Sequence, residues 1–226
     1  FPDTLEAVPS IVRWAARHPD KVQVLTLICV RMAERDGPYT YQVGGREVDF
    51  SKTPFLTDRH DRNLTTEEIY ARVRSVLPDF ELSGFLGGTV HPHALKWVVG
   101  SHLCTAERSY GSLGARTMEL AQNVSHAVRG CYLAYTDPAQ NRRGRLAFLL
   151  APFDATLRKA LARYAAAVVR KPGTLLGRLF LQSLSVVQPV DVLPNGEMDT
   201  CDGCPNRTFW QERLVPACRL EEYQLF

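Results

Sequence analysis

The chain has 226 residues, a formal net charge of +3, 45% hydrophobic and 23% charged residues. Those proportions belong to a folded globular chain, neither disordered nor fibrous, of a length suited to one sizeable domain or one domain with a small appended module. The charge is too mild to call for a nucleic-acid partner, and no apolar run approaches the roughly 18 residues needed to cross a bilayer.

The chain opens at Phe1 with no initiator Met, basic n-region or apolar signal, and stops at Phe226 without a polar tail. Both ends read as cuts in a longer protein. Residues 10–18 place Ile11, Val12, Trp14 and Ala15 on one side of a short amphipathic helix, with Pro9 suited to the turn before it. After Pro19-Asp20, residues 22–30 form an apolar, β-branched stretch that is too continuous for a half-exposed strand. Helix, turn and buried strand form the grammar of an α/β unit, and the exposed margin of such a strand is where earlier strands would pair. Residues 31–57 read as a long loop holding a hairpin around Gly44-Gly45.

Thr65-Thr66-Glu67-Glu68 is a capping-box signal, and Ile69, Val73, Val76 and Leu77 recur at helical spacing before Pro78. A bend is expected at Phe85-Leu86-Gly87-Gly88, a short helix or strand over 95–99, and a helix over 117–128 ending at Gly130. Residues 155–170 read as a helix. The basic, leucine-rich stretch 157–184 resembles either an interfacial helix or a core helix with cations at its rim, and the core reading is preferred. An extended segment over 185–192 leads to a turn at Pro194-Asn195-Gly196. His91, His93 and His102 lack the helical Glu partner of a zinc-protease motif, and Arg142-Arg143-Gly144-Arg145 reads as a solvated turn.

The six cysteines divide evenly: Cys29, Cys104 and Cys131 stand alone and read as small buried hydrophobes, while Cys201, Cys204 and Cys218 crowd the last 26 residues. A disulfide-stapled secreted domain is shorter and denser in cysteine, so the pattern favours a reducing, cytoplasmic setting and a metal. In Cys201-Asp202-Gly203-Cys204 the two-residue spacing lets both sulfurs face one ion, with Gly203 permitting the turn. Cys218 is then expected to return so that the three sulfurs converge. The donor set suits an iron–sulfur cluster, a mononuclear iron or a zinc whose last ligand lies elsewhere.

Taken in order, the 8–15 helix with strand 22–30, the Leu64-Thr65-Thr66-Glu67-Glu68-Ile69 helix start and the closing Cys201-Asp202-Gly203-Cys204-Pro205 with Cys218 resemble the C-terminal portion of radical S-adenosylmethionine iron–sulfur oxidoreductases, the broad group that includes tetraether lipid synthases. The resemblance implies an α/β fold with three parts. Residues 1–57 would be a late unit of a partial (β/α) barrel, 58–190 a mostly helical substrate-covering region, and 191–226 a metal-binding tail. It implies S-adenosylmethionine and a catalytic 4Fe-4S cluster in the complete enzyme, hydrogen abstraction by a 5′-deoxyadenosyl radical, a small-molecule or lipid substrate, an electron-donor protein and peripheral membrane contact. The family binds its catalytic cluster through a Cys-x-x-x-Cys-x-x-Cys loop that this sequence lacks, so no catalytic ligand carries over and activity is not expected from this piece alone. The alternative is a non-enzymatic domain whose tail is a structural zinc knuckle for protein or nucleic-acid contact.

Overall fold

The computed structural model describes residues 2–29, 33–34, 40–43, 45–49, 56–57, 64–133, 138–189, 191–193, 197–204, 206–220 and 224. Helix α1 (Pro2–Arg17) leads to β1 (Val24–Ile28), and the short strands β2 (Ala33–Glu34), β3 (Tyr41–Val43), β4 (Arg46–Val48) and β5 (Leu56–Thr57) follow. Next come α2 (Thr66–Val76), β6 (Gly84–Leu86), β7 (Trp97–Cys104), β8 (Ser109–Ser112) and α3 (Ala115–Arg129). A short α4 (Pro138–Asn141) and a 3-10 segment (Gly144–Phe153) lead into α5 (Ala155–Arg170), and β9 (Phe180–Val187) returns to the sheet. The tail holds β10 (Asp191–Val192), β11 (Met198–Asp199), β12 (Arg207–Trp210) and β13 (Arg213–Pro216).

The fold is mixed α/β. Its main sheet runs β1-β9-β7-β6, with β8 also pairing β7. Only β1 and β9 are parallel, whereas β9, β6 and β8 all run antiparallel to β7. Strand alternation sends successive side chains to opposite faces, and two cores follow from it. Val98, Leu184 and Val186 face α1 and α2 in one core with Val8, Val12, Ile69, Val73 and Phe80. Leu103 faces the other way into a core of Tyr110, Met118, Leu157, Ala160, Tyr164 and Leu179, with Leu181 packed against it.

The region expected to be mostly helical, 58–190, supplies four of the five sheet strands, and the stretch 157–184 is not one helix. Helix α5 ends at Arg170, where Pro172 follows, and Phe180 already belongs to β9. Apolar content alone could not separate helix from buried strand there. The α5 stretch itself is a core helix, burying Leu157, Ala160 and Tyr164.

Helix α1 also departs from expectation. Pro9 lies inside it rather than before it, because Leu5 and Val8 extend the core-facing stripe a further two turns. Burial of that stripe outweighs the backbone hydrogen bond that proline forfeits. Val12 and Ala15 are buried as expected, but Trp14 is 54% exposed and stacks on His18 at 4.6 Å. Strand β1 is likewise not buried on both faces: Leu25 and Leu27 pack on the first core while Ile28 is 62% exposed. It ends the sheet, and among the described residues no strand pairs with its outer margin.

Most of the other local expectations match the structure, but Phe85 and Leu86, expected in a bend, belong to β6 and pair with Val98 and Trp97. Thr65 caps α2 with the reciprocal Glu68 bond, Gly130 closes α3 in the left-handed region at φ 68°, and β3 pairs with β4 across Gly45. The expected turn at 194–196 lies outside the described residues, although β10 and β11 pair on either side of it. Among the described residues no helix is long and apolar enough to cross a membrane.

One close approach fixes how β7 meets the chain after α2. A Cβ on Gly100 would lie 2.5 Å from Phe80 Cζ and 2.6 Å from the Glu81 carbonyl oxygen. Gly100→Ala is therefore expected to destabilise the fold by about 1–3 kcal/mol through overpacking. In a chain of this length each such kilocalorie lowers Tm by about 2–4 °C, so a thermal melt reads it, and an unchanged Tm would contradict the close packing.

Candidate metal centre

The tail cysteines are positioned by backbone pairing against the loop after β6. Thr89 N donates to the Thr200 carbonyl at 2.9 Å and Asp202 N to the Gly87 carbonyl at 2.9 Å, with an antiparallel bridge between Gly88 and Cys201. This pairing requires Gly88, since a Cβ there would sit 2.3 Å from Asp199 Oδ2. Gly203 then turns the chain at φ 63°, as its place between two cysteines suggested.

After Cys204 the chain runs into the β12–β13 hairpin, whose register pairs Arg207 with Pro216 and Trp210 with Arg213. Gln211 and Glu212 make the two-residue turn with φ of 43° and 63°, a conformation usually left to Asn or Gly. The hairpin returns Ala217 to Asn206, whose carbonyl accepts the Ala217 amide at 3.0 Å. Cys218 is thereby brought back beside the start of its own excursion.

Cys201 is buried, Cys204 half-buried and Cys218 exposed. Burial above all, with the nearby Cys204, Cys218 and Asp199 adding to it against a lowering by Lys96, pushes the Cys201 thiol up to about 11. The three sulfur groups therefore lie within electrostatic reach of one another. They do not close into a ligand set: among the described residues no three His, Cys, Asp or Glu side chains converge as metal ligands. Bringing thiolates together raises their energy, and a cation relieves it, so the chemistry of the donor set fits a thiolate-bound metal.

Behind Cys201 lies a polar centre that sequence reading missed. Lys96 is fully buried, with its Nζ 3.4 Å from both Asp191 Oδ2 and Asp199 Oδ2. Asp199 Oδ1 accepts the Val90 amide at 2.9 Å, and Gln188 donates to Asp191 Oδ2 at 3.1 Å while accepting the Thr66 amide at 3.2 Å. Burial works to raise the Asp199 carboxyl, but the Val90 amide, the Lys96 charge and further hydrogen bonds outweigh it and hold the group below its ordinary value. The arrangement ties α2, the start of β7, the end of β9 and the tail to one cation. A single Lys in the apolar 95–99 stretch gave no hint of this, because a strand with one charged residue reads as half-exposed.

The remaining candidates fall elsewhere. Cys29 and Cys104 are buried as expected, and burial pushes the Cys104 thiol up to about 12. Cys131 is exposed, against expectation, just past the end of α3. His91 and His93 are exposed in a turn, and His102 is buried within the sheet, so these histidines are not brought together. Arg142 and Arg143 are exposed in a turn as expected, while the equally exposed Arg145 stands at the start of the 3-10 segment and donates to the Tyr164 hydroxyl at 3.3 Å and to the Leu175 and Gly177 carbonyls, bracing the chain before β9. Comparison of the chain with family models, with curated proteins and with solved structures returned no match.

Proposed function

We propose that the chain is part of a radical S-adenosylmethionine enzyme and that Cys201, Cys204 and Cys218 hold an auxiliary iron–sulfur site in its tail. The observation that carries this reading is the hairpin register that returns Ala217 to Asn206, beside a Cys-x-x-Cys turn whose Cys201 thiol responds to both other cysteines. The parallel β1–β9 pair with β1 at the sheet end supports reading that margin as the place where earlier strands of a (β/α) barrel pair. On this reading the Cys-x-x-x-Cys-x-x-Cys loop and S-adenosylmethionine belong to another segment of the polypeptide.

An iron–sulfur group, when bound, supplies electron transfer. This chain's own residues do the rest of the work at the site. The Thr89–Thr200 and Gly87–Asp202 backbone bonds hold Cys201 against the sheet, the Asn206–Ala217 bond closes the hairpin, and Lys96 presents a buried positive charge toward the Cys201 sulfur.

Anaerobic purification followed by iron, acid-labile sulfide and zinc analysis tests the reading. Iron with sulfide is the expected result in the wild type, and Cys204→Ser is expected to lose most of it and to loosen residues 197–220 in hydrogen exchange. Stoichiometric zinc without sulfide would favour a structural knuckle instead. Metal content unchanged by Cys204→Ser would remove the tail's proposed role.

A further inference from the structure

A cleft on the α1 side of the sheet has about 290 Å³ of space and is lined by Arg13, Arg17, Asp79, Glu107, Arg108 and Ser109 among others. Its two acids are already committed. Asp79 pairs with Arg163 at 2.7 Å and Glu107 with Lys171 at 2.6 Å, and neither cation belongs to the cleft wall. Arg13, Arg17 and Arg108 have no ion-pair partner among the described residues. Arg13 and Arg17 share one face of α1 by their four-residue spacing, and Arg108 lies 5.4 Å over the Tyr110 ring. Arg13 and Arg17 thus bring two positive charges to this concavity with no acidic partner among the described residues, whereas the Arg108 guanidinium covers Tyr110, which packs in the core on the opposite face of the sheet.

The Ser109 hydroxyl on this wall has its proton direction fixed by a chain of buried bonds. Gln182 Nε2 lies 2.9 Å from the Ala15 carbonyl and 2.7 Å from the Val22 carbonyl. Only the NH2 side of the amide can face two carbonyl oxygens, so Oε1 faces His102 Nε2 at 2.9 Å and must accept a proton from it. Burial lowers the His102 pKa, which keeps the ring neutral. A neutral ring protonated at Nε2 has a bare Nδ1, and that nitrogen lies 2.9 Å from Ser109 Oγ. Ser109 therefore donates inward and offers only lone pairs to the cleft. Such an oxygen repels a phosphate and accepts a hydroxyl.

We propose that this cleft binds a small phosphate ester carrying a free hydroxyl, with the phosphate held by Arg13 and Arg17 and the hydroxyl donating to Ser109. Arginine suits phosphate because its planar fork of donors matches the oxygens of the anion. The same chemistry occurs in soluble polyol phosphates and in glycerol phosphate headgroups of lipids, and the cleft's size suits either group without a bulky substituent. The proposal goes beyond the tail's metal and does not depend on it.

Isothermal titration at low ionic strength with inorganic phosphate and with glycerol phosphate tests it, on protein with and without bound metal. Glycerol phosphate is expected to bind about tenfold more tightly than inorganic phosphate, the size of one good hydrogen bond. Arg13→Ala and Arg17→Ala are each expected to weaken both ligands about tenfold, and Ser109→Ala to remove the advantage of glycerol phosphate. Arg116→Ala, an exposed charge change outside the cleft, serves as the control and should leave both affinities unaltered. Circular dichroism of each variant separates lost binding from lost folding. Flotation with phosphatidylglycerol vesicles, compared with phosphatidylcholine, distinguishes the sources: vesicle binding lost in Arg17→Ala without binding of free glycerol phosphate assigns the lipid headgroup. Absence of saturable binding in every arm overturns the site, as does equal weakening by Arg116→Ala. Equal affinity for the two soluble ligands overturns the part assigned to Ser109.

Discussion

Replacing Lys96 with Met is expected to destabilise the fold by about 3–5 kcal/mol, because it leaves two buried carboxylates without their shared cation. Lys96 is fully buried, and the Asp191 and Asp199 side chains retain only 7% and 1% of their exposure. Chemical denaturation of Lys96→Met should show a lower midpoint, and the tail should exchange amide hydrogens faster, since Asp199 sits two residues before Cys201. The triple change Lys96→Met, Asp191→Asn, Asp199→Asn should recover much of the loss by removing the stranded charges. Asp199 is held below its ordinary carboxyl value, so its contribution is fully present above about pH 4 and is lost as pH falls through the folded value. Without Lys96 one of the influences lowering that value disappears, and the acid loss should begin at a higher pH. A Lys96→Met protein as stable as the wild type at neutral pH would show that the buried charges are not interdependent.

Asp154→Ala is expected to cost about 2–3 kcal/mol, at the sum of two helix caps. One Asp154 carboxylate serves both α3 and α5. It accepts the Leu157 amide at 3.0 Å, the Thr156 amide, and both the amide and the hydroxyl of Thr117. Gly114 makes this sharing possible, since a Cβ there would lie 2.8 Å from Asp154 Oδ2. Burial works to raise the carboxyl, but the Thr117 hydroxyl and the backbone amides outweigh it and bring the value below that of a free aspartate. A lowered value means that the stabilisation holds above the ordinary carboxyl pKa and fades as pH falls through the folded one. Asp154→Ala should therefore lower the midpoint of a denaturant melt at pH 7 and flatten the loss of stability in acid. Asp154→Asn should retain part of the capping but not the attraction of an anion for two helix N-termini. Equal stability of Asp154→Ala and wild type would show that the two helices start without this group.

The sequence by itself determined the features whose partners lie within a few residues. The Thr65–Glu68 box, the Gly130 stop, the bounds of α5, the hairpin at Gly45 and the turn at Gly203 each depend on local backbone chemistry, and each appears where the residues place it. Only the tertiary structure decided the rest. Pro9 is inside α1 because a distant sheet buries Leu5 and Val8, and residues 180–187 are strand because β7 and β1 flank them. Lys96 meets Asp191 across 95 positions of sequence, and His102 meets Gln182 across 80. Burying a lysine or a histidine is unfavourable until its partners arrive, and those partners come from strands that meet only when the sheet closes. The same reason divides the tail: the Cys-x-x-Cys spacing was legible as chemistry, whereas its seating on Gly88 and the nearby Lys96 came from the fold.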